Sequence, residues 1–216
     1  MTTRSPWAGE YARRPHEYVL GTAPSAFARA LCGLLVPGAR VLELGCGEGR
    51  DSVFFARRGC AVTAVDVSAV GLGKAQRLAQ GAGVAVRWVH ADVTRYRPDQ
   101  SFDLVYSCGA IHYVPRERRR ELLARLQAAT SPHGVHAHLV FADHAVYVER
   151  GERIDYFHAG ELGHLYRTWW IFWNGRGTIA CDQDGRPHRH GVEELIATRT
   201  SGAGPSAGAT RAPLGR

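Results

Sequence analysis

The chain has 216 residues and a mass of 23.6 kDa; it is 45% hydrophobic and 22% charged, with a formal net charge of 27 − 20 = +7. These values fit one soluble domain, or a domain with a cap, and exclude collagen-like, coiled-coil and wholly disordered chains. The basic balance does not by itself define a nucleic-acid surface: all but one of the 27 basic residues are Arg (the exception is Lys74), and the densest cluster, Arg116 to Arg120, is interleaved with Glu117 and Glu121 like a solvated helix face.

Residues 1–20 are polar with Trp7, Tyr11 and Tyr18 among them, and read as an irregular arm. Thr22-Ala-Pro-Ser25 opens a helix with apolar positions at Phe27, Leu31, Leu34 and Leu35, ended by Pro37-Gly38. An alternation follows: strand 39–45, helix 49–59, strand 60–68, helix 69–81, strand 84–92, strand 102–109, helix 115–130 and strand 134–143. That order predicts an α/β fold with a mostly parallel, doubly wound sheet. A short helix over 160–169 and strands over 169–173 and 191–200 follow, the two strands pairing antiparallel at one sheet edge. Residues 201–216 are Gly, Ala, Ser and Pro without an apolar period and are expected to be a disordered tail. The expected organisation is therefore an arm and cap helix over 1–37, a domain over 38–200 and the tail.

Cys32, Cys46, Cys60, Cys108 and Cys181 are scattered, odd in number and form no CxxC pair, which suits reduced thiols better than a disulfide framework. No apolar run approaches the ~18–20 residues of a membrane span, and the first residues hold no apolar core of a signal peptide. A cytoplasmic protein without membrane contact is expected, as a monomer or homodimer.

The strongest chemical signal is VLELGCGEGR, residues 41–50. A strand runs into Gly45-x-Gly47-x-Gly49 and then a helix, and glycines let a backbone turn sharply and approach a ligand closely. In open α/β sheets ligands bind beyond the carboxyl ends of strands near a switch in strand order, where this loop is expected. Glu43 precedes the first glycine by two positions. Asp66 ends the second strand, where a carboxylate can accept both hydroxyls of a ribose. Asp92 ends the third, where an acidic side chain can accept an adenine amino group, and Ser107 and Cys108 arrive on the fourth.

E-L-G-C-G-E-G-R, then V-D, then A-D, then F-D-L-V resembles the class I S-adenosylmethionine-dependent methyltransferases over roughly residues 38–142. The resemblance implies a Rossmann-like seven-stranded sheet with an antiparallel edge strand, and S-adenosylmethionine as cofactor. It implies that Gly45, Cys46, Gly47 and Gly49 line the methionine part, that Asp66 with Val67 holds the ribose, that Asp92 with Val93 contacts the adenine, and that Ser107 offers a backbone carbonyl to the ammonium. Glu43 orients the loop. The stretch GEGRDSVFFARRGCAVTAVDVS looks like the tellurite-resistance branch, and the arm YARRPHEYVLGTAPSAF is similar to the one covering the cofactor there and in thiopurine methyltransferases. That implies a small-molecule acceptor, a thiol or chalcogen or an N/O group of a metabolite.

Methyl transfer from a sulfonium needs alignment and exclusion of water. His112, with Tyr113 beside it, is the candidate proton acceptor for a hydroxyl or amine; the alternative is a structural histidine bridging loop and helix. Tyr11, Tyr18, His112, Trp170, His188 and His190 are the expected substrate contacts. In ACDQDGRPHRHGV (180–192), a turn at Asp184-Gly185 would make a hairpin with His188 and His190 on one face. Cys-x6-His-x-His is not a common zinc pattern, so no metal is expected; a polar hairpin mouth or a pocket wall comes first. His136 and His138 share a strand face with His144 nearby and read as a satisfied structural set. Competing functions are methylation of RNA or protein, a non-catalytic S-adenosylmethionine-binding module and a nicotinamide oxidoreductase, the last disfavoured by the loop spacing.

Overall fold

The computed structural model describes residues 6–142, 147–149, 152–181 and 187–200. The expected tail, His144 and the Asp184-Gly185 turn lie outside the described residues.

Seven strands form one sheet, built from β1 (Arg40–Leu44), β2 (Ala61–Asp66), β3 (Arg87–His90), β4 (Phe102–Cys108), β5 (Thr130–Phe141), β8 (Trp170–Cys181) and β9 (His188–Thr198). A two-stranded ribbon, β6 (Tyr147–Glu149) and β7 (Glu152–Ile154), stands apart. The order is β3-β2-β1-β4-β5-β9-β8, with β1 to β5 parallel and β9 antiparallel to both β5 and the edge strand β8. Strand order reverses between β1 and β4, so a crevice opens above their carboxyl ends. The Rossmann-like α/β sheet with an antiparallel pairing at one side is therefore present, the edge itself being β8.

The α-helices among the described residues are α1 (Pro6–Arg13), α2 (Ala26–Ala30), α3 (Arg50–Ala56), α4 (Ala69–Gly81), α5 (Arg116–Ala128) and α6 (Glu161–Leu165), with 3-10 turns at Cys32–Leu34 and Ile111–Tyr113. Alternation along the strands sends side chains to two cores. On one face Val41, Leu104, Tyr106 and Leu139 pack with Phe27, Leu31 and Phe55. On the other Leu42, Leu44, Val105 and Val140 pack with Leu122, Leu126 and Tyr166. Burial on both faces explains why β1, β2 and β4 read as near-continuous apolar runs.

Three local expectations change. The arm is not wholly irregular, because residues 6–13 are helical. Eight residues cannot hold a helix alone; the rings of Trp7 and Tyr11, four apart, lie tilted to each other at 6.0 Å between centroids, and Tyr11 is buried against the rest of the molecule. Helix α2 starts at Ala26 rather than Thr22, because Ser25 is its N-cap: its hydroxyl accepts from Ala28 N and itself donates to Asp51, which also accepts from Ser25 N and Tyr106. Strand β8 runs eight residues past Trp173, its partner β9 supplying the pairing that Asn174-Gly-Arg-Gly177 does not advertise.

His136 and His138 form the expected satisfied set. His136 bonds Thr130 and Tyr166, at 2.8 and 2.6 Å; His138 bonds Ser107 and Tyr166, both at 2.8 Å. Burial holds both imidazoles neutral, pushing His138 down to about 3.

Candidate functional site

The glycine turn leaves β1 in left-handed backbone: φ is +67° at Gly45, +54° at Gly47 and +83° at Gly49. At Gly49 a Cβ would also sit 2.6 Å from the Ala75 methyl of α4, so conformation and space both demand glycine there. The turn is pinned to β2: Gly45 N and Cys46 N donate to Val65 O at 2.8 and 3.1 Å. Asp66 accepts from Gly47 N through one carboxylate oxygen and from Ser68 N through the other, both at 2.8 Å. Burial raises the Asp66 pKa, and its backbone hydrogen bonds oppose that rise. Two carboxylate oxygens offer about four acceptor positions, more than these backbone donors fill.

Glu43 is buried and accepts from Ser52 on α3, tying β1 to that helix. Burial and then Asp51 push its carboxyl well above the usual range. Burial likewise pushes the Cys46 thiol up, with Asp66 and Glu43 adding to it, so Cys46 is no ready nucleophile. Asp92 follows β3 and folds onto its own turn, accepting from Thr94 N and Thr94 Oγ1 at 2.8 Å each; Val93 packs on the α5-side core. Val67 receives a hydrogen bond from His90 through its carbonyl. The Ser107 hydroxyl is committed to His138, which leaves Ser107 its main chain for any ligand.

The arm lies over this turn. A Cβ on Gly47 would meet the Tyr11 hydroxyl at 2.7 Å. Burial, then Asp66 and Glu48, hold that hydroxyl well above its usual pKa. Tyr18 donates to Lys74 O on α4 and so fastens the arm. Lys74, the one lysine, is buried and donates to Glu48 at 2.6 Å and to Glu17 O at 2.8 Å; Glu48 also accepts from Val19 N. Trp7 Nε1 donates to the Tyr113 hydroxyl at 2.7 Å and so joins the arm to the loop after β4.

A second set of side chains gathers where β4 and β5 end and β9 begins. His112 sits in a 3-10 turn, Ile111–Tyr113, and is 1% exposed. Its ring stacks on Phe141 at 4.3 Å; His190 stacks on Phe141 at 4.4 Å, and Tyr156 stands edge-on to all three rings. Burial, then the charges of Arg119 and His190, push His112 well below an ordinary imidazole. Its Nδ1 accepts from Phe141 N at 3.3 Å, so in the neutral ring the proton belongs on Nε2, a buried atom without a partner among the described residues. In that tautomer Nε2 is a donor, and a proton-accepting role for His112 stays an expectation.

His188 and His190 do share one face of β9, with Nε2 atoms 2.7 Å apart. Trp170, expected as a substrate contact, lies apart from this group. It pairs with Thr198, which in turn pairs with β5 around Val135, the opposite end of the sheet from Phe141. There it is 46% exposed against Phe172, while its neighbour Trp169 packs on His136. The reading of the residues missed Phe141, Tyr156, Trp7 and the Glu48–Lys74 pair. Glu48 lies inside the glycine motif and Lys74 is unique in the chain, which was the available signal; nothing local marks Tyr156.

Residues 41–134 match the family described as methyltransferase domain. An uncharacterized methyltransferase of Mycobacterium bovis is 40% identical over 115 residues, 52% of this chain and 56% of that protein. A trans-aconitate 2-methyltransferase of Deinococcus radiodurans is 38% identical over 128 residues, 56% of this chain and 46% of that protein. The chain spans about half the length of these curated relatives. The crystal structure of TehB from Haemophilus influenzae shares the fold, with a TM-score of 0.74 at 18% identity over 84% of this chain and 64% of that one. The sheet thus has the Rossmann-like α/β fold of that structure. The match over residues 41–134 falls inside the stretch, roughly 38–142, that carries the resemblance read from the sequence. No helix among the described residues is long and apolar enough to cross a membrane.

Proposed function

We propose that the protein is an S-adenosylmethionine-dependent methyltransferase of the cytoplasm acting on a small molecule that reaches the site as a soft nucleophile, a thiolate or chalcogen anion. The observation that carries this is the left-handed glycine turn held against Asp66 at the switch point, inside the stretch that matches the methyltransferase domain.

The residues fit the cofactor. Glycines 45 to 49 present backbone without side chains, Asp66 keeps free acceptor positions for ribose hydroxyls, and Asp92 with Val93 stands at the end of β3 for the base. When bound, the cofactor supplies an electrophilic methyl group on sulfur. The chain's own part is alignment and dryness. The arm covers the turn through Tyr11 and is bolted to the β4 loop by Trp7 and Tyr113, which excludes water from the crevice. His112 offers an Nε2–H that can orient an acceptor but cannot take its proton while Nδ1 holds Phe141 N. That favours an acceptor already ionised over a hydroxyl or amine needing a base, and makes Tyr113 a positioning residue.

The test is calorimetric titration with S-adenosylmethionine and S-adenosylhomocysteine, followed by a methyl-transfer screen over thiols, chalcogen oxyanions, phenols and amines. Micromolar binding with turnover confined to the first two classes is expected. Asp66→Asn should weaken cofactor binding by about 1.5–3 kcal/mol, the range for hydrogen bonds to a charged group. Absence of binding would remove the cofactor reading; binding with turnover only on phenols or amines would remove the soft-nucleophile reading alone.

A further inference from the structure

The β8–β9 pair ends in a group of side chains to which the proposed function gives no role. Cys181 and His188 are direct cross-strand partners, and His190 follows His188 by two residues on the same strand face. In an antiparallel pair such positions bring side chains within roughly 4.5–5.5 Å at Cβ. Here one ligand atom from each of the three residues lies within 4.8 Å of the others. The two Nε2 atoms are 2.7 Å apart. Two imidazoles meeting nitrogen to nitrogen is the arrangement that a shared proton, or a shared cation, sustains. His190 is 2% exposed and is fixed from behind by Phe141, while Cys181 and His188 stay half-buried and reachable.

We propose that Cys181, His188 and His190 bind a thiophilic divalent cation of the zinc type. One thiolate and two imidazoles are a borderline-soft donor set, which selects zinc over magnesium or calcium. Nitrogens at the usual ~2.0–2.1 Å from such an ion lie about 3.3 Å apart at a tetrahedral angle, so the imidazole pair opens by about 0.6 Å to admit it. The thiol proton leaves to solvent as the metal–sulfur bond forms, and the imidazole protonated on Nε2 moves its proton to Nδ1. Three protein ligands leave the fourth position open to water or to a small ligand. The sequence spacing argues against a zinc pattern, but a hairpin needs no standard spacing: register, not chain distance, sets which side chains meet.

The experiment uses the full chain without a histidine tag, stripped with chelator and dialysed. Zinc is titrated against a chromophoric chelator, and cobalt is titrated in parallel for its spectrum. One zinc per chain is expected, with intense d–d absorption of four-coordinate cobalt and a thiolate-to-cobalt band in the near ultraviolet. Outer partners of metal ligands already cost 10–100-fold in affinity when lost, so Cys181→Ser, His188→Ala and His190→Ala should each weaken zinc by at least about a hundredfold. Cys181→Ser should also abolish the near-ultraviolet band although four cysteines remain. Absence of stoichiometric binding, unchanged affinity in Cys181→Ser, or a cobalt spectrum without the thiolate band would each overturn the proposal. Circular dichroism of each variant separates loss of the site from loss of the fold. A folded Cys181→Ser that binds as the parent does refutes the site even if both histidine variants fail to fold.

Discussion

The two ends of the sheet solve different problems with different materials. At the β2–β1–β4 end the strands are short, buried on both faces, and meet their chemistry through main chain: left-handed glycines, backbone N–H groups and one carboxylate that holds them. At the β5–β9–β8 end the strands run eleven or twelve residues, β8 is open to solvent along much of its length, and the chemistry is carried by side chains, His112, Phe141, Tyr156, Cys181, His188 and His190. A backbone cradle suits a ligand that stays the same. A wall of side chains changes specificity without touching the turn. The comparison teaches that the glycine-turn end is constrained by geometry and the hairpin end by composition.

The largest test of that contrast is Lys74→Met. Removing the cation leaves Glu48 buried without its partner, which typically costs about 3–5 kcal/mol. The arm should also come loose, because Glu17 and Val19 are held by the same pair. Urea denaturation should show the loss in stability; an unchanged midpoint would mean that the arm and turn are not coupled through this pair. Next comes Gly49→Ala. Left-handed strain of about 1–2 kcal/mol and overpacking against Ala75 of about 1–3 kcal/mol act together. The same substitution at Gly177 of the open hairpin, where a Cβ would meet its nearest atom at 3.8 Å, should cost far less, and equal costs would erase the distinction between the two ends.

An acid titration probes the strand where the halves join. His138 on β5 stays neutral in the fold down to about pH 3, whereas an unfolded histidine takes up its proton near pH 6.5. Between those values the unfolded state binds more protons, so this residue makes stability fall as pH falls, by about 1.4 kcal/mol per pH unit at the steepest. Glu43 and Asp66, raised by burial, pull the other way. The measurement is therefore the difference from His138→Gln, whose stability curve should be shallower toward acid; parallel curves would show that His138 is protonated in the native state. The smallest effect is expected from Trp170→Ala, under about 1 kcal/mol and without change in cofactor affinity, because the side chain is half exposed at the far end of the sheet.

The order of β1 to α5 was legible because its signals are local. Apolar runs bounded by Gly38, Gly59 and Gly81 mark strands and helices without reference to anything distant, and helix 69–81 begins and ends where it was expected. The glycine turn and Asp66 were legible for the same reason: a left-handed backbone selects glycine whatever surrounds it. Helix α1 was not legible, because its stability comes from Tyr11 against the turn and Trp7 against Tyr113, residues over a hundred positions apart in the second case. Nor was the tautomer of His112, which depends on the main-chain N–H of Phe141 on another strand.

The amino-acid sequence by itself determined the parallel sheet, the glycine turn with its acidic partner, and the presence of histidines after the fourth strand and on the last one. Only the tertiary structure decided which way those histidines face. It put Trp170 at the opposite end of the sheet from Phe141 and set Cys181 beside His188 and His190. The reason is register: side chains alternate with period two, and a one-residue shift in strand pairing sends every one of them to the other face.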